Sequence, residues 1–262
     1  MGHHRQMHAQ REAGLVTSPQ PPEARSSPWR AASRYPRTTG LRSARSALSS
    51  AQKDAWERLW PTLGAEATAL SPSGAARLDT ATWFGRDAPL VLEIGCGSGT
   101  STLAMAKCEP GVNVIAVDVY RRGLAQLLSA IAREHVDNVR LIRGHALDVL
   151  ERLIAPGSLT GVRVFFPDPW PKARHHKRRL LQPATIILIA DRLRVGGLLH
   201  VATDHAGYAA QIIEGAAAEP RLCRVDPDKQ PLAISVARPT TKYETKARLA
   251  GSPVFELLWE RR

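Results

Sequence analysis

Cysteine is scarce in this chain of 262 residues: Cys96, Cys108 and Cys223 match no zinc-ligand spacing, and an odd number closes no complete disulfide set. Free thiols in a reducing compartment are the expectation. Long apolar runs are missing too. The longest, such as Ile186 to Ala190 and Leu198 to Ala202, fall far short of the ~20 residues that span a bilayer. Arg5 and Arg11 are followed by no apolar core, so no cleaved secretory signal is expected and the predicted location is the cytoplasm. Acidic residues are under-represented, with 24 Asp plus Glu against 36 Lys plus Arg, a net charge of +12 and a pI near 10.3. Such a surplus attracts polyanions, nucleic acid first among them. The first fifty residues hold eight Arg and two Glu, so half of the excess sits there.

What is present divides the chain in two. Residues 1–48 are rich in Arg, Ser and Pro with no sustained apolar period, the composition of a disordered basic arm. Residues 49–262 read as one folded domain. Ser49 and Ser50 followed by Ala55, Leu59 and Trp60 predict a short serine-capped helix closed by Pro61. Beyond Pro89, short apolar runs alternate with helical patterns. Strands are predicted at 90–94, 114–117, 139–142, 162–166 and 198–202, with late strands at 222–225 and 254–259. Helices are predicted at 100–108, 124–135, 146–154, 180–193 and 208–217. Continuous rather than alternating apolar strands indicate a parallel sheet covered on both faces. The expected fold is a doubly wound, mostly parallel, Rossmann-like α/β sheet of seven strands.

Directly after the first of these strands, Gly95, Gly97 and Gly99 stand at alternate positions and open a helix, where they let the backbone turn sharply and approach a ligand. Asp118 ends the next strand, placed to accept hydrogen bonds from ribose hydroxyls. The spacing is G-x-G-x-G rather than the G-x-G-x-x-G of pyrophosphate-binding turns, and Glu93 beside it suits a ligand bearing an ammonium and a sulfonium. Both features favour S-adenosyl-L-methionine over NAD. The bland alternative is a tight strand-to-helix turn with an incidental acid.

The fourth strand runs into Phe166-Pro167-Asp168-Pro169-Trp170-Pro171-Lys172. Three prolines stiffen this loop, Asp168 falls at the ligand-facing end of the sheet, and Trp170 offers a stacking face for a base. From Lys172 to Arg179 come five Lys or Arg, two His and no acid, a density that suits phosphate contact or, more plainly, a solvated face. Asp204, after the fifth strand, either meets a base or caps the following helix. Residues 238–248 mix hydroxyls, cations and one acid in the manner of a binding loop. Adjacent His175 and His176 diverge, so no metal is assigned.

Together these segments resemble the bacterial tRNA (guanine-N7-)-methyltransferases, from about Ser50 to the end. The most specific piece is Phe166 to Lys172 with the His-His-Lys-Arg-Arg run. Leu92 to Gly99, Gly196 to Asp204 and Thr241 to Glu244 also look like family segments. The resemblance implies that S-adenosyl-L-methionine is held by Glu93, Asp118 and the position of His145, that Asp168 lies at the catalytic centre, and that Lys172, Asp204, Thr241, Lys242, Tyr243 and Glu244 contact tRNA, whose variable-loop guanine is methylated. Family members commonly carry Glu at position 118 and Asp at position 145. The imidazole of His145, or the backbone of Ala146, then replaces an acidic adenine contact. A monomer or homodimer is expected. The competing readings are methylation of an exocyclic amine on a nucleic-acid base, and a basic RNA-binding protein without catalysis.

Overall fold

The computed structural model describes Met1 and residues 47–70, 77–240, 244–245, 249, 251 and 253–262. The expected basic arm and Thr241 to Tyr243 fall almost wholly or wholly outside these residues. The first helix, α1 (Ser50–Leu63), begins with a capping box in which Ser49 and Gln52 satisfy each other's backbone N–H. Pro61 does not close it. The helix runs on to Leu63, the lost hydrogen bond falling in the last turn, where Trp60 stacks on Trp56 at 3.9 Å.

Then follow β1 (Gly64–Glu66), α2 (Ala67–Leu70), α3 (Thr80–Phe84), β2 (Leu90–Ile94), α4 (Thr100–Cys108), β3 (Asn113–Asp118), α5 (Arg121–Glu134), β4 (Val139–Arg143), α6 (Ala146–Asp148) with a π-helical turn at Val149–Leu153, and β5 (Leu159–Phe165). A 3₁₀ turn at Ala173–Arg178, α7 (Pro183–Arg192), β6 (Leu193–Thr203), α8 (Ala206–Ala217), β7 (Leu222–Arg224) and β8 (Phe255–Arg261) complete the order.

The sheet has eight strands, not the seven expected, in the order β1-β4-β3-β2-β5-β6-β8-β7. The extra strand, Gly64–Glu66, has no β-forming composition. It is a strand because it pairs in parallel with β4, and only tertiary contact supplies that. Strands β1 to β6 run parallel, and β8 is antiparallel to both β6 and β7. Other expectations shift: 146–154 is α6 plus the π-helical turn, β6 starts five residues early, at Leu193, β5 and α5 each start three early, at Leu159 and Arg121, and α7 starts three late, at Pro183.

Alternation of side chains along the central strands divides the core. Leu90, Leu92 and Ile94 face α7, α8 and the π-helical turn, while Val91, Val114 and Ala116 face α1, α4 and α5. Among the described residues no helix is long and apolar enough to cross a membrane. At the amino-terminal edge of the sheet, the buried Asn138 amide donates to the carbonyls of Ala106, Glu109 and Val112, fastening the end of α4 to the start of β3. Asn138→Ala leaves these acceptors unmet, so chemical denaturation should report a loss of about 2–3 kcal/mol.

Candidate active site

Because β2, β3, β4 and β5 pair in parallel, their carboxyl ends set the glycine turn, Asp118, His145 and Asp168 along one edge of the sheet, where open α/β sheets form their ligand crevice. The turn is pinned from beneath, with Gly95 N–H donating to the Val117 carbonyl at 2.8 Å. Gly95, Gly97 and Gly99 all have positive φ, at 76°, 56° and 78°. A Cβ on Gly95 or Gly97 would meet nothing within 4 Å, so that side of the turn is open, whereas one on Gly99 would strike Leu127 of α5 at 2.5 Å. The first two glycines thus leave room for a ligand and the third lets the helices pack.

Sequence reasoning missed Gly123. A Cβ there would lie 2.2 Å from the Gly97 carbonyl oxygen, so α5 presses its first turn directly against the glycine bend. The signal was present as a glycine early in a helix whose hydrophobic pattern did not require it.

Asp118 serves the turn before any ligand does. Its Oδ2 accepts from Gly97 N–H at 2.8 Å and its Oδ1 from Tyr120 N–H at 2.8 Å. Each carboxylate oxygen retains a lone pair, enough for two ribose hydroxyls. Burial raises its pKa, the backbone donors restrain that rise, and the nearby Asp168 carboxylate adds to it. His145 caps α6, and its carbonyl accepts from Val149 N–H. Gly144 N–H, just before it, donates to the Asp118 carbonyl at 3.0 Å, which sets His145 and the half-buried Ala146 beside Asp118.

Glu93 is 3% exposed, and its Oε2 is buried with no hydrogen-bond partner. Burial pushes its pKa up to about 7, against the pull of Arg163 and the Thr102 hydroxyl. Cys96 between the glycines is no nucleophile: burial, with Asp118 and Glu93 nearby, drives its thiol pKa well above the usual range.

The loop after β5 holds Asp168 exposed between two strained residues, Phe166 with φ of 49° and Trp170 with φ of 43°. The surroundings enforce that strain. Phe166 N–H donates to the Ala202 carbonyl at 2.8 Å, Arg179 Nε donates to the Pro169 carbonyl at 2.8 Å, and Arg178 lies over the Trp170 ring at 5.0 Å.

Arg179 is therefore not a phosphate contact. It is 3% exposed, stacks on Tyr208 and bonds Gln211, bracing the loop against α8. Lys172, Arg174 and Lys177 remain exposed. Asp204 is exposed at the end of β6 and does not cap α8; His205 does, its Nδ1 accepting from Tyr208 N–H. Glu244 faces inward, paired with Arg238, whose guanidinium lies over Phe165 and Phe166. Its observed place is buried beside Arg238 rather than exposed. The crevice thus combines an open glycine turn, a buried carboxylate with one unpartnered oxygen, and two further carboxylates, Asp118 and Asp168. Such a set of acids suits a cation better than a pyrophosphate.

Two outcomes test this geometry. Because the pKa of Glu93 is higher in the folded chain than when unfolded, its contribution to stability is complete below about pH 4.5 and is lost as pH rises through about 7. In thermal or urea unfolding, wild type should therefore lose up to about 3 kcal/mol relative to Glu93→Gln across that window. Gly123→Ala should displace the bend and cost about 1–3 kcal/mol by the same measurement.

A family profile described as "Putative methyltransferase" matches residues 87–257. The chain is 65% identical to a tRNA (guanine-N(7)-)-methyltransferase of Mycobacterium avium, the alignment covering 100% of each. A relative of the same name from Mycobacterium tuberculosis is 63% identical over 100% of this chain and 96% of its own length. Among solved structures, a 16S rRNA methyltransferase is 15% identical with a TM-score of 0.48, covering 72% of this chain and 96% of its own. On the strength of that end-to-end identity, the chain belongs to the tRNA (guanine-N(7)-)-methyltransferase family.

Proposed function

We propose that this chain methylates N7 of a guanine in tRNA, the variable-loop guanine, with S-adenosyl-L-methionine as donor. The observation that carries the reading is that the exposed Asp168 follows the strand paired with the one holding the buried Glu93, whose Oε2 has no hydrogen-bond partner, which supports an acceptor site beside a donor site. Full-length relatives named for this activity support it. The residues present fit the donor: Glu93 Oε2 lacks a partner for an ammonium, Asp118 keeps lone pairs for a ribose, and the turn at Gly95 and Gly97 is open. When bound, S-adenosyl-L-methionine supplies an electrophilic methyl group on a sulfonium.

Guanine N7 carries a lone pair and no proton, so no side chain has to remove one before attack. What remains for the protein is positioning and electrostatics. The Asp168 carboxylate accepts from guanine N1–H and the exocyclic amine, orienting N7 and favouring the positive charge that methylation leaves on the ring. Prolines 167, 169 and 171, the Arg179 brace and the Phe166 anchor hold that carboxylate in place. Lys172, Arg174 and Lys177, exposed in the segment after Asp168, meet the tRNA backbone, and Asp204 stands at the neighbouring strand end. A cytoplasmic enzyme follows from the substrate.

Asp168→Ala should lower methyl transfer to tRNA by at least about a hundredfold while leaving affinity for S-adenosylhomocysteine within about threefold. Unimpaired transfer overturns the role of Asp168, and nucleoside mass spectrometry of the product separates N7 from an exocyclic amine. With about four phosphates engaged, tRNA affinity should drop roughly a hundredfold between about 50 and 200 mM salt. A flat response removes the backbone contacts.

A further inference from the structure

Below the crevice, a row of polar side chains crosses the sheet where its neighbours are apolar. Strand register sets Glu93 of β2 beside Arg163 of β5, and Arg163 beside His200 of β6. Directly paired residues of adjacent strands share a face, and these three lie on the α4 side. Arg163 and His200 have no exposed surface. A guanidinium so deep is destabilising unless countercharges and acceptors surround it.

Part of the compensation for Arg163 is visible. Its Nη2 donates to Glu109 Oε2 at 2.5 Å and to the Ser235 carbonyl at 3.1 Å, while Glu109 Oε1 accepts from Ser235 N–H at 2.6 Å. Its Nε and Nη1 are buried without hydrogen-bond partners. On the paired strand β2, the Glu93 Oε2 atom is also unpartnered. His200 supplies no competing cation, because burial lowers its pKa, and its Nε2 meets Glu256. The described groups acting on Glu93 are Arg163 from β5 and the Thr102 hydroxyl from α4, with the Cys96 thiol close by in the turn and Asp118 beyond it on β3.

We propose that Arg163 is a positioning residue of the donor site: seated by Glu109 and the Ser235 carbonyl, it holds the Glu93 carboxylate charged beneath the glycine turn, ready for the ammonium of the donor. The proposal rests on the donor site described above. It also gives Glu109 and Ser235 a part in donor binding, although both lie outside the crevice. Ser235 is three residues before Arg238, which covers Phe165 and Phe166, so the same anchor fastens the substrate-side segment to the sheet.

The test measures calorimetric binding of two ligands to the full chain between about pH 6.5 and 8.5, the window around the Glu93 transition. S-adenosylhomocysteine carries the ammonium; 5′-methylthioadenosine has the same nucleoside without it. Arg163→Met should weaken S-adenosylhomocysteine about tenfold or more near pH 7, with part of the loss recovered as pH rises, and leave 5′-methylthioadenosine unchanged. Arg163→Lys should stay within about threefold of wild type for both ligands, a rescue by charge alone. If Arg163→Met does not fold, Arg163→Gln is measured in its place with the same expectation. Unchanged affinity for S-adenosylhomocysteine, or an equal loss for both ligands, overturns the proposal. Failure of wild type to bind either ligand overturns the donor site itself, a result distinct from any difference between variants.

Discussion

A carboxylate enclosed by a parallel sheet with one oxygen lacking a hydrogen-bond partner is energetically unfavourable, and Glu93 is such a group. Glu93 sits in a strand whose other members, Leu90, Val91, Leu92 and Ile94, are all buried and apolar. Hydrophobic burial of the strand fixes its position, and burial raises its pKa. The site is thereby held in a state that a cationic ligand improves, since charge brought to Glu93 removes the unfavourable term. Stability without ligand and affinity for ligand are opposed at this residue, as expected where a site is built ahead of what it binds.

In the loop after β5, backbone strain plays a comparable part. Phe166 and Trp170 both occupy left-handed conformations that bulky residues seldom adopt, at about 1–3 kcal/mol each. They persist because Arg179, Tyr208, Arg178 and the β6 backbone hold the loop from several directions. The result is an exposed aspartate on a loop braced from several sides. Rigidity of that kind suits a reaction in which orientation is the main requirement.

The basic run illustrates how composition and burial part company. Eight consecutive residues without an acid look uniform in sequence, yet one cation, Arg179, is turned inward and bonded to backbone and Gln211, while Lys172, Arg174 and Lys177 face solvent. Charge density marks the segment as basic. Which of its cations stay exposed depends on the path of the chain around α8. Glu244 is a similar case, since the acid of a polar loop turns out to pair with Arg238 against two phenylalanines.

Much of the α/β rhythm was legible because it rests on local rules. The continuous apolar runs of β2 and β3, the glycines before α4, the serine cap of α1 and the prolines around Asp168 each state their structure within a few residues. Those rules also set the glycine turn and the Asp168 loop on one edge, as the strand ends of a parallel sheet lie together. Three features needed the folded chain: β1, which is a strand only through pairing with β4; the contact of Gly123 with Gly97; and the burial of Arg163 beside Glu93. Each depends on residues tens of positions apart meeting across strands or helices. Period and propensity describe a segment against its own neighbours in sequence, whereas register and packing decide which distant side chain it must accommodate.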